Sequence, residues 1–253
     1  MSPRGDSGAA GSEDTSIEAT KSRAVREMFG AIAHRYDFLN HLLSGSVDRL
    51  WRGRCLREVS RRLPSATVRT LDIGCGTADL SIEFSALGPV VGCDFCHPML
   101  QIGREKAVGK PGRHAVELLE GDALRLPFRD GRFDAVVSAF VLRNLANLET
   151  GMREMRRMLR PGGVVSVLDF GMPRHRLLGP LYRLYFSRVL PWLGRLVSGV
   201  DGPYRYLPES VRSFPEPEAL REMLERCGFR DTRIQLLTGG IAVLLTAEAE
   251  PDS

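Results

Sequence analysis

An α/β fold with a doubly wound, mainly parallel seven-stranded sheet follows from three features of the 253-residue sequence. Short apolar runs alternate with amphipathic stretches from Val68 to Phe170, the pattern of right-handed βαβ units. A Gly-Cys-Gly turn, Gly74 to Gly76, follows the first of these runs, and acidic residues close the next two. The last two apolar runs are joined by the short Thr-Gly-Gly turn at 238–240, a hairpin, so one of these two strands runs antiparallel.

The elements follow in chain order. Residues 1–20 are rich in Gly, Ser, Ala and acids, and are expected to be a disordered tail. Residues 21–253 form one domain. Within it, 21–62 read as a helical cap, with apolar positions at Val25, Met28, Phe29 and Ile32 and again at Leu39, Leu42 and Leu43. Strands are predicted at 68–73, 88–94, 115–122, 133–140 and 164–170. Helices are predicted at 77–87, at 97–107, opened by Pro98, and at 149–160, stopped by the Pro-Gly-Gly turn at 161–163. Residues 171–213 are an insertion that reads as a helical lid. A helix at 217–227 ends at Gly228, and strands near 231–237 and 240–247 close the chain.

Composition narrows the class. Hydrophobic residues make up 43% and charged residues 26%, which excludes a mainly disordered chain, a fibrous repeat and a polytopic membrane protein. The net charge of +4 is too small to mark a nucleic-acid binder. Only three of the 35 basic residues are Lys, a bias that reads as coding composition rather than function. The five Cys are scattered and odd in number, unlike a disulfide framework. Cys93 and Cys96 have CxxC spacing, but no second pair completes a metal site, so no metal is expected. The N-terminus has no apolar h-region, and no apolar run is long enough to cross a bilayer. A reduced, cytoplasmic protein is expected.

The strand-end residues suggest a ligand. Gly74 and Gly76 let backbone approach a ligand where a strand turns into a helix N-terminus. Asp79 stands where a dinucleotide fingerprint has its third Gly, and no P-loop Gly-Lys-Ser/Thr follows, so neither NAD nor a nucleoside triphosphate fits. Asp94, closing the second strand, can accept both ribose hydroxyls, and Asp122, after the third, can face an adenine amino group. The set points to a nucleoside ligand without a pyrophosphate.

Wider segments carry a resemblance. FGAIAHRYDFLNHLLS (29–44), LRLPFRDGRFDAVVSAFVLRN (124–144), MLRPGG (158–163), YRYLPESVRSFPEPEALREMLERCGF (204–229) and LTGGIA (237–242) resemble the menaquinone/ubiquinone biosynthesis C-methyltransferases, within the class I S-adenosylmethionine-dependent methyltransferases. The likeness runs from about Val25 to Thr246. It implies a Rossmann-like fold, S-adenosyl-L-methionine as cofactor, and Thr77, Asp94, Asp122 and Ala123 as its contacts beside Gly74 and Gly76. It also implies methylation of a ring carbon of a polyprenyl hydroquinone, a naphthoquinol or a benzoquinol, with demethylmenaquinol to menaquinol favoured. The chain departs from the family pattern at Ser46, Ala78 and Val141, where the family usually has glycine, at Asp48, where it has histidine, and at Asn147, where it has aspartate. Ser46 and Asp48 are expected near the substrate mouth.

Carbon methylation needs a nucleophilic carbon aligned behind the methyl donor. No Pro-Cys dipeptide and no amine-directed [DN]PP[YF] motif occurs, so the substrate brings its own activation. An ionised hydroquinone hydroxyl does this by pushing electrons onto the adjacent carbon. Arg143 is the candidate to stabilise the phenolate, Asn144 or Tyr36 to orient the hydroxyl, and Asp37 or water to take the proton. Asn40 is a further candidate, while His34 and His41 read as helix-surface residues. Two other readings stay open. One is a methyltransferase of RNA or of another hydrophobic phenol, using the seven Arg of 49–69; the other is a non-catalytic nucleoside-binding subunit. Base-stacking aromatic motifs are absent, so no nucleic-acid partner is expected. Residues 174–199 carry five Arg, no acid, and an apolar stripe through Leu181, Tyr185, Val189 and Trp192. That pattern suits in-plane contact with the inner face of the cytoplasmic membrane, as a peripheral protein, and the sequence is compatible with a homodimer.

Overall fold

The computed structural model describes residues 20–34, 46–64, 67–108, 114–173, 179, 184 and 202–251. The cap consists of two helices, α1 (20–34) and α2 (Asp48–Arg62). Tyr36, Asp37, Asn40 and His41 lie outside the described residues, as do nearly all of 174–201 and all of the N-terminal tail except Thr20, which opens α1. His34 is exposed at the end of α1.

Alternation then produces β1 (Thr70–Ile73), α3 (Asp79–Phe84), β2 (Val90–Asp94), α4 (His97–Ala107), β3 (Val116–Glu120) and β4 (Phe133–Ala139). A 3-10 turn (Leu142–Asn144) leads to α5 (Leu148–Met158) and β5 (Leu159–Phe170). The chain ends with α6 (Gly202–Ser213), α7 (Pro217–Arg226), β6 (Phe229–Leu237) and β7 (Ala242–Ala249). The seven strands lie in the order β3-β2-β1-β4-β5-β7-β6. Only β7 is reversed, running antiparallel to both β5 and β6. After β3 the chain crosses back over β1 to lay down β4 on its other side, so the strand order switches between β1 and β4. Ligands in open α/β sheets bind outside the carboxyl ends of the strands at such a point.

Both faces of the sheet are covered, so the central strands read as apolar runs rather than alternations. One face packs Leu71, Ile73, Val136 and Val165 against Met152, Met155 and Met158 of α5 and Leu220 and Leu224 of α7. The other packs Val90, Ala135, Val137 and Leu168 against Trp51, Cys55 and Val59 of α2 and Leu80 and Phe84 of α3. Trp51 anchors α2 over the strand ends: its indole donates to Thr238 Oγ1 (2.8 Å), and its ring meets Phe140 and Phe170 at centroid distances of 6.3 and 6.2 Å.

Two expected boundaries move for backbone reasons. The helix expected at 77–87 begins only at Asp79, because Ala78 sits at φ +66°, outside the right-handed helical region. The Pro-Gly-Gly stretch is not a turn before the fifth strand. It lies within β5 as an irregularity: Phe133 faces Leu159, and the next pair is Ala135 with Val164.

The Arg-rich stretch is largely neutralised. Arg52 is buried against Asp48 (2.7 Å) and Glu83 (2.9 Å), Arg54 and Arg61 meet Glu58, Arg62 meets Glu248, and Arg69 meets Asp134. Asp48 is therefore a buried partner of Arg52 and not a mouth residue. Ser46 and Ala78 both hold positive φ, +64° and +66°, which accounts physically for glycine being the common residue at those positions. Asn147 caps α5, its Oδ1 accepting from the Thr150 amide at 3.0 Å, a bond that aspartate makes equally well.

Candidate active site

Two cavities meet at the switch point and share Gly74, Gly76 and Phe140. The larger, about 720 Å³, falls in the range of roughly 300–1,000 Å³ usual for small-molecule sites. Its polar floor holds Asp94 and Asp122, and its walls are apolar: Phe95, Met99, Leu124, Val141 and Leu145. Ala123 and Asn144 line it as well. The cap helix α1 closes one side with Val25 and Phe29. That helix is pinned by Lys21 Nζ, which donates to the Leu145 carbonyl (2.6 Å), and by Arg26, which lies over the Phe95 ring at 5.4 Å.

Gly74 and Gly76 sit at φ +68° and +52°, where a side chain is strained. A Cβ on Gly74 would also lie 2.4 Å from a Val141 methyl, so Val141 fills the space beside the turn. Asp94 ties the turn to the next loop. Its two oxygens accept from the Gly76 and Cys96 amides, each at 2.8 Å. Burial pushes its carboxyl above the ordinary value, while those amides pull the other way. A carboxylate offers about four acceptor sites, so these amides leave it acceptor capacity for a ligand hydroxyl. Asp122 lies two residues beyond β3 and is exposed, with Oδ1 accepting from the Leu124 amide (2.9 Å).

The second cavity, about 400 Å³, is lined by Arg52, Asp72, Thr77 and Asp79. Thr77 is buried, and its hydroxyl accepts from Lys106 Nζ (3.2 Å). Asp72 on β1 is fully buried, receives the Ser81 hydroxyl at 2.5 Å, and is pushed up to about 7, first by burial. This charged annex went unseen in the sequence, where Arg52 was one Arg among seven. The signal available was an acid within the first strand.

Arg143 and Asn144 stand on the 3-10 turn after β4. Arg143 does form an ion pair, but a buried one. Its Nη1 donates to Asp169 Oδ1 (2.6 Å) and to the Phe140 carbonyl (2.5 Å), and the guanidinium lies over the Phe170 ring at 5.1 Å. Asp169, at the tip of β5, follows the same acid-at-strand-end rule as Asp94 and was missed. Asn144 donates from Nδ2 to the Phe140 carbonyl (3.2 Å), and its buried Oδ1 has no partner. No cysteine is poised as a nucleophile: Cys93 lines the cleft, but burial pushes its thiol up to about 12. Among the described residues no group of His, Cys, Asp and Glu is arranged to hold a metal.

A seven-stranded sheet with a reversed last strand, a left-handed glycine turn after β1 and a buried acid ending β2 define a class I S-adenosylmethionine-dependent methyltransferase. A Thermotoga maritima structure described as a possible histamine N-methyltransferase shares this fold, at TM-score 0.60 and 19% identity over 88% of this chain and 99% of that one. The sequence model of the ubiE/COQ5 methyltransferase family matches residues 17–248, and the chain belongs to that family. It is 48% identical over 225 residues to the demethylmenaquinone methyltransferase of Deinococcus radiodurans, covering 88% of this chain and 91% of that one. It is 49% identical over 220 residues to that of Thermus thermophilus, covering 86% and 97%.

Replacing Asp94 removes two carboxylate acceptors from the cleft floor and unties the two loops. Asp94→Ala should weaken S-adenosylmethionine binding by about 2–4 kcal/mol, read by calorimetry; unchanged affinity would refute the assignment. Asp72 generates a pH signature. The folded chain holds its proton up to about 7, whereas an unfolded chain releases it near 3.8, so native stability falls as pH rises between those values. Asp72→Asn lacks that slope. Its melting temperature relative to wild type should rise between about pH 4.5 and 7.5, and a constant difference would contradict the assignment.

Proposed function

We propose that the protein methylates a ring carbon of a polyprenyl hydroquinone, converting demethylmenaquinol to menaquinol. One observation carries this reading beyond the family: an apolar cleft whose polar edge, at Asn144, has an unpartnered acceptor and no nucleophile beside it. A site of that kind suits a substrate that is apolar, carries a hydroxyl and is nucleophilic by itself.

S-adenosylmethionine, when bound, supplies an electrophilic methyl group. Gly74, Gly76, Asp94, Asp122 and Ala123 would hold its nucleoside part, and Thr77, with Arg52 and Asp72, would hold its amino-acid part. The acceptor hydroxyl ionises, the ring carbon gains the methyl as its bond to the sulfonium sulfur breaks and S-adenosylhomocysteine leaves, the carbon loses its hydrogen as a proton and the phenolate oxygen is reprotonated, so one proton net is released per turnover. A free phenol has a pKa near ~10, so the site must favour the ionised form. Asp169 fixes the Arg143 guanidinium with Nε left over, which places positive charge next to the developing phenolate. Asn144 and Tyr36 orient the hydroxyl, and Asp37 or water accepts the proton. Arg143 stays charged throughout and is no base.

The substrate tail is lipid, so the enzyme works at the inner face of the cytoplasmic membrane as a peripheral protein. No described helix is long and apolar enough to cross a membrane. The 171–213 insertion lids the site and forms the greasy entrance for the tail. The Arg-rich stretch offers little to RNA, since Arg52, Arg54, Arg61, Arg62 and Arg69 already face acids.

Arg143→Ala should lower kcat on a short-tailed demethylated quinol by about 100-fold or more while cofactor affinity stays within about twofold. Parallel loss of both would make Arg143 structural. Activity on fully oxidised quinone, without reductant, would sink the mechanism. Reversing the charge of Arg183 and Arg188 should reduce sedimentation with anionic vesicles and activity on a long-tailed quinol, yet spare a short-tailed one. Equal loss on both quinols would confine the insertion to a folding role.

A further inference from the structure

Among the described residues, three neighbouring side chains each leave a buried polar atom without a hydrogen-bond partner: Arg143 Nε, Asn144 Oδ1, whose residue lines the cleft, and the Tyr206 hydroxyl. They belong to two elements in contact, the 3-10 turn and α6. The Tyr206 phenol lies within electrostatic reach of Arg143 and Asp169. Buried polar groups in folded proteins are paired, and a group of three left open at one place calls for a ligand that pairs them. Two neighbouring donor atoms are committed. Arg143 Nη1 is bound by Asp169 and the Phe140 carbonyl, and Asn144 Nδ2 by the same carbonyl. What remains open is one donor, Arg143 Nε–H, one acceptor, Asn144 Oδ1, and the Tyr206 hydroxyl, which can donate or accept.

We infer that Tyr206 is a further substrate-contacting residue, donating a hydrogen bond to the oxygen of the acceptor's aromatic hydroxyl. This deepens the hydroquinone reading above and rests on it. The set matches a phenol in both of its states. As a neutral hydroxyl it donates to Asn144 Oδ1 and accepts from one donor. Once ionised it only accepts, and Arg143 Nε–H and Tyr206 O–H are both available to donate to it. An alkyl or thioether group would leave all three atoms unpaired, and an ammonium group would meet the Arg143 charge. Burial holds the Tyr206 phenol above its ordinary value, so it stays protonated, and a donor, through the neutral range.

The test uses the full chain and 2-methyl-1-naphthol, a tail-free phenol whose ionisation is read by absorbance, titrated in the presence of S-adenosylhomocysteine. Tyr206→Phe should make the bound naphthol less acidic by about threefold to tenfold, the effect of one hydrogen bond, with S-adenosylhomocysteine affinity and melting temperature unchanged. Asn144→Leu should act with the opposite sign, because it removes the acceptor of the neutral form. Bound naphthol of equal acidity in wild type and Tyr206→Phe would overturn the role of Tyr206 and leave the hydroquinone reading standing. A fall in acidity with Asn144→Leu would also overturn the assignment. A wild-type protein that binds S-adenosylhomocysteine but no naphthol would overturn the hydroquinone reading itself, and Tyr206 with it.

Discussion

The Asp94 carboxylate receives the Gly76 and Cys96 amides and thereby joins the turn after β1 to the turn after β2. Bonds of this kind, to a charged acceptor, contribute about 1.5–3 kcal/mol each. They offset part of the penalty of burying the acid. They also fix the left-handed Gly turn, whose Gly74 and Gly76 line the cleft. Phe95, against which Arg26 of α1 lies, is the next residue in the chain, and Gly76, shared by the two cavities, is bonded to this side chain.

The same device recurs along the sheet edge. Asp72 sits within β1, Asp94 ends β2 and Asp169 lies near the tip of β5, each buried and each held by a local donor. Their partners differ, and so do their consequences. Asp72 has a serine hydroxyl and retains its proton to about 7. Asp169 has a guanidinium and locks Arg143 in place. The three acids therefore differ in charge at neutral pH: Asp72 is close to its midpoint, and the Asp169 carboxylate is matched by the Arg143 guanidinium.

Much of this was legible in the sequence. Strand and helix alternation is a periodicity, and the strands and α4 appear where their apolar runs stand. Gly74, Gly76, Asp94 and Asp122 were readable because glycines and acids at strand ends have few other uses. Three things were not. The bulge through Pro161-Gly162-Gly163 depends on pairing with β4, a long-range register that local turn chemistry does not encode. The start of α3 depends on an alanine held at positive φ by its surroundings, against its own preference. The burial of Arg143 against Asp169 joins residues 26 apart, and the Arg52 cluster joins α2 to α3, so neither has a sequence signature.

The central claim is that this cleft places a methyl group on a ring carbon. It is tested most directly by incubating the protein with methyl-13C S-adenosylmethionine and reduced demethylmenaquinol, then locating the label by NMR. The account predicts one labelled methyl per quinol, bonded to a ring carbon, with one S-adenosylhomocysteine formed for each. Label on a quinol oxygen, or cofactor consumed with no label in the quinol, would contradict it.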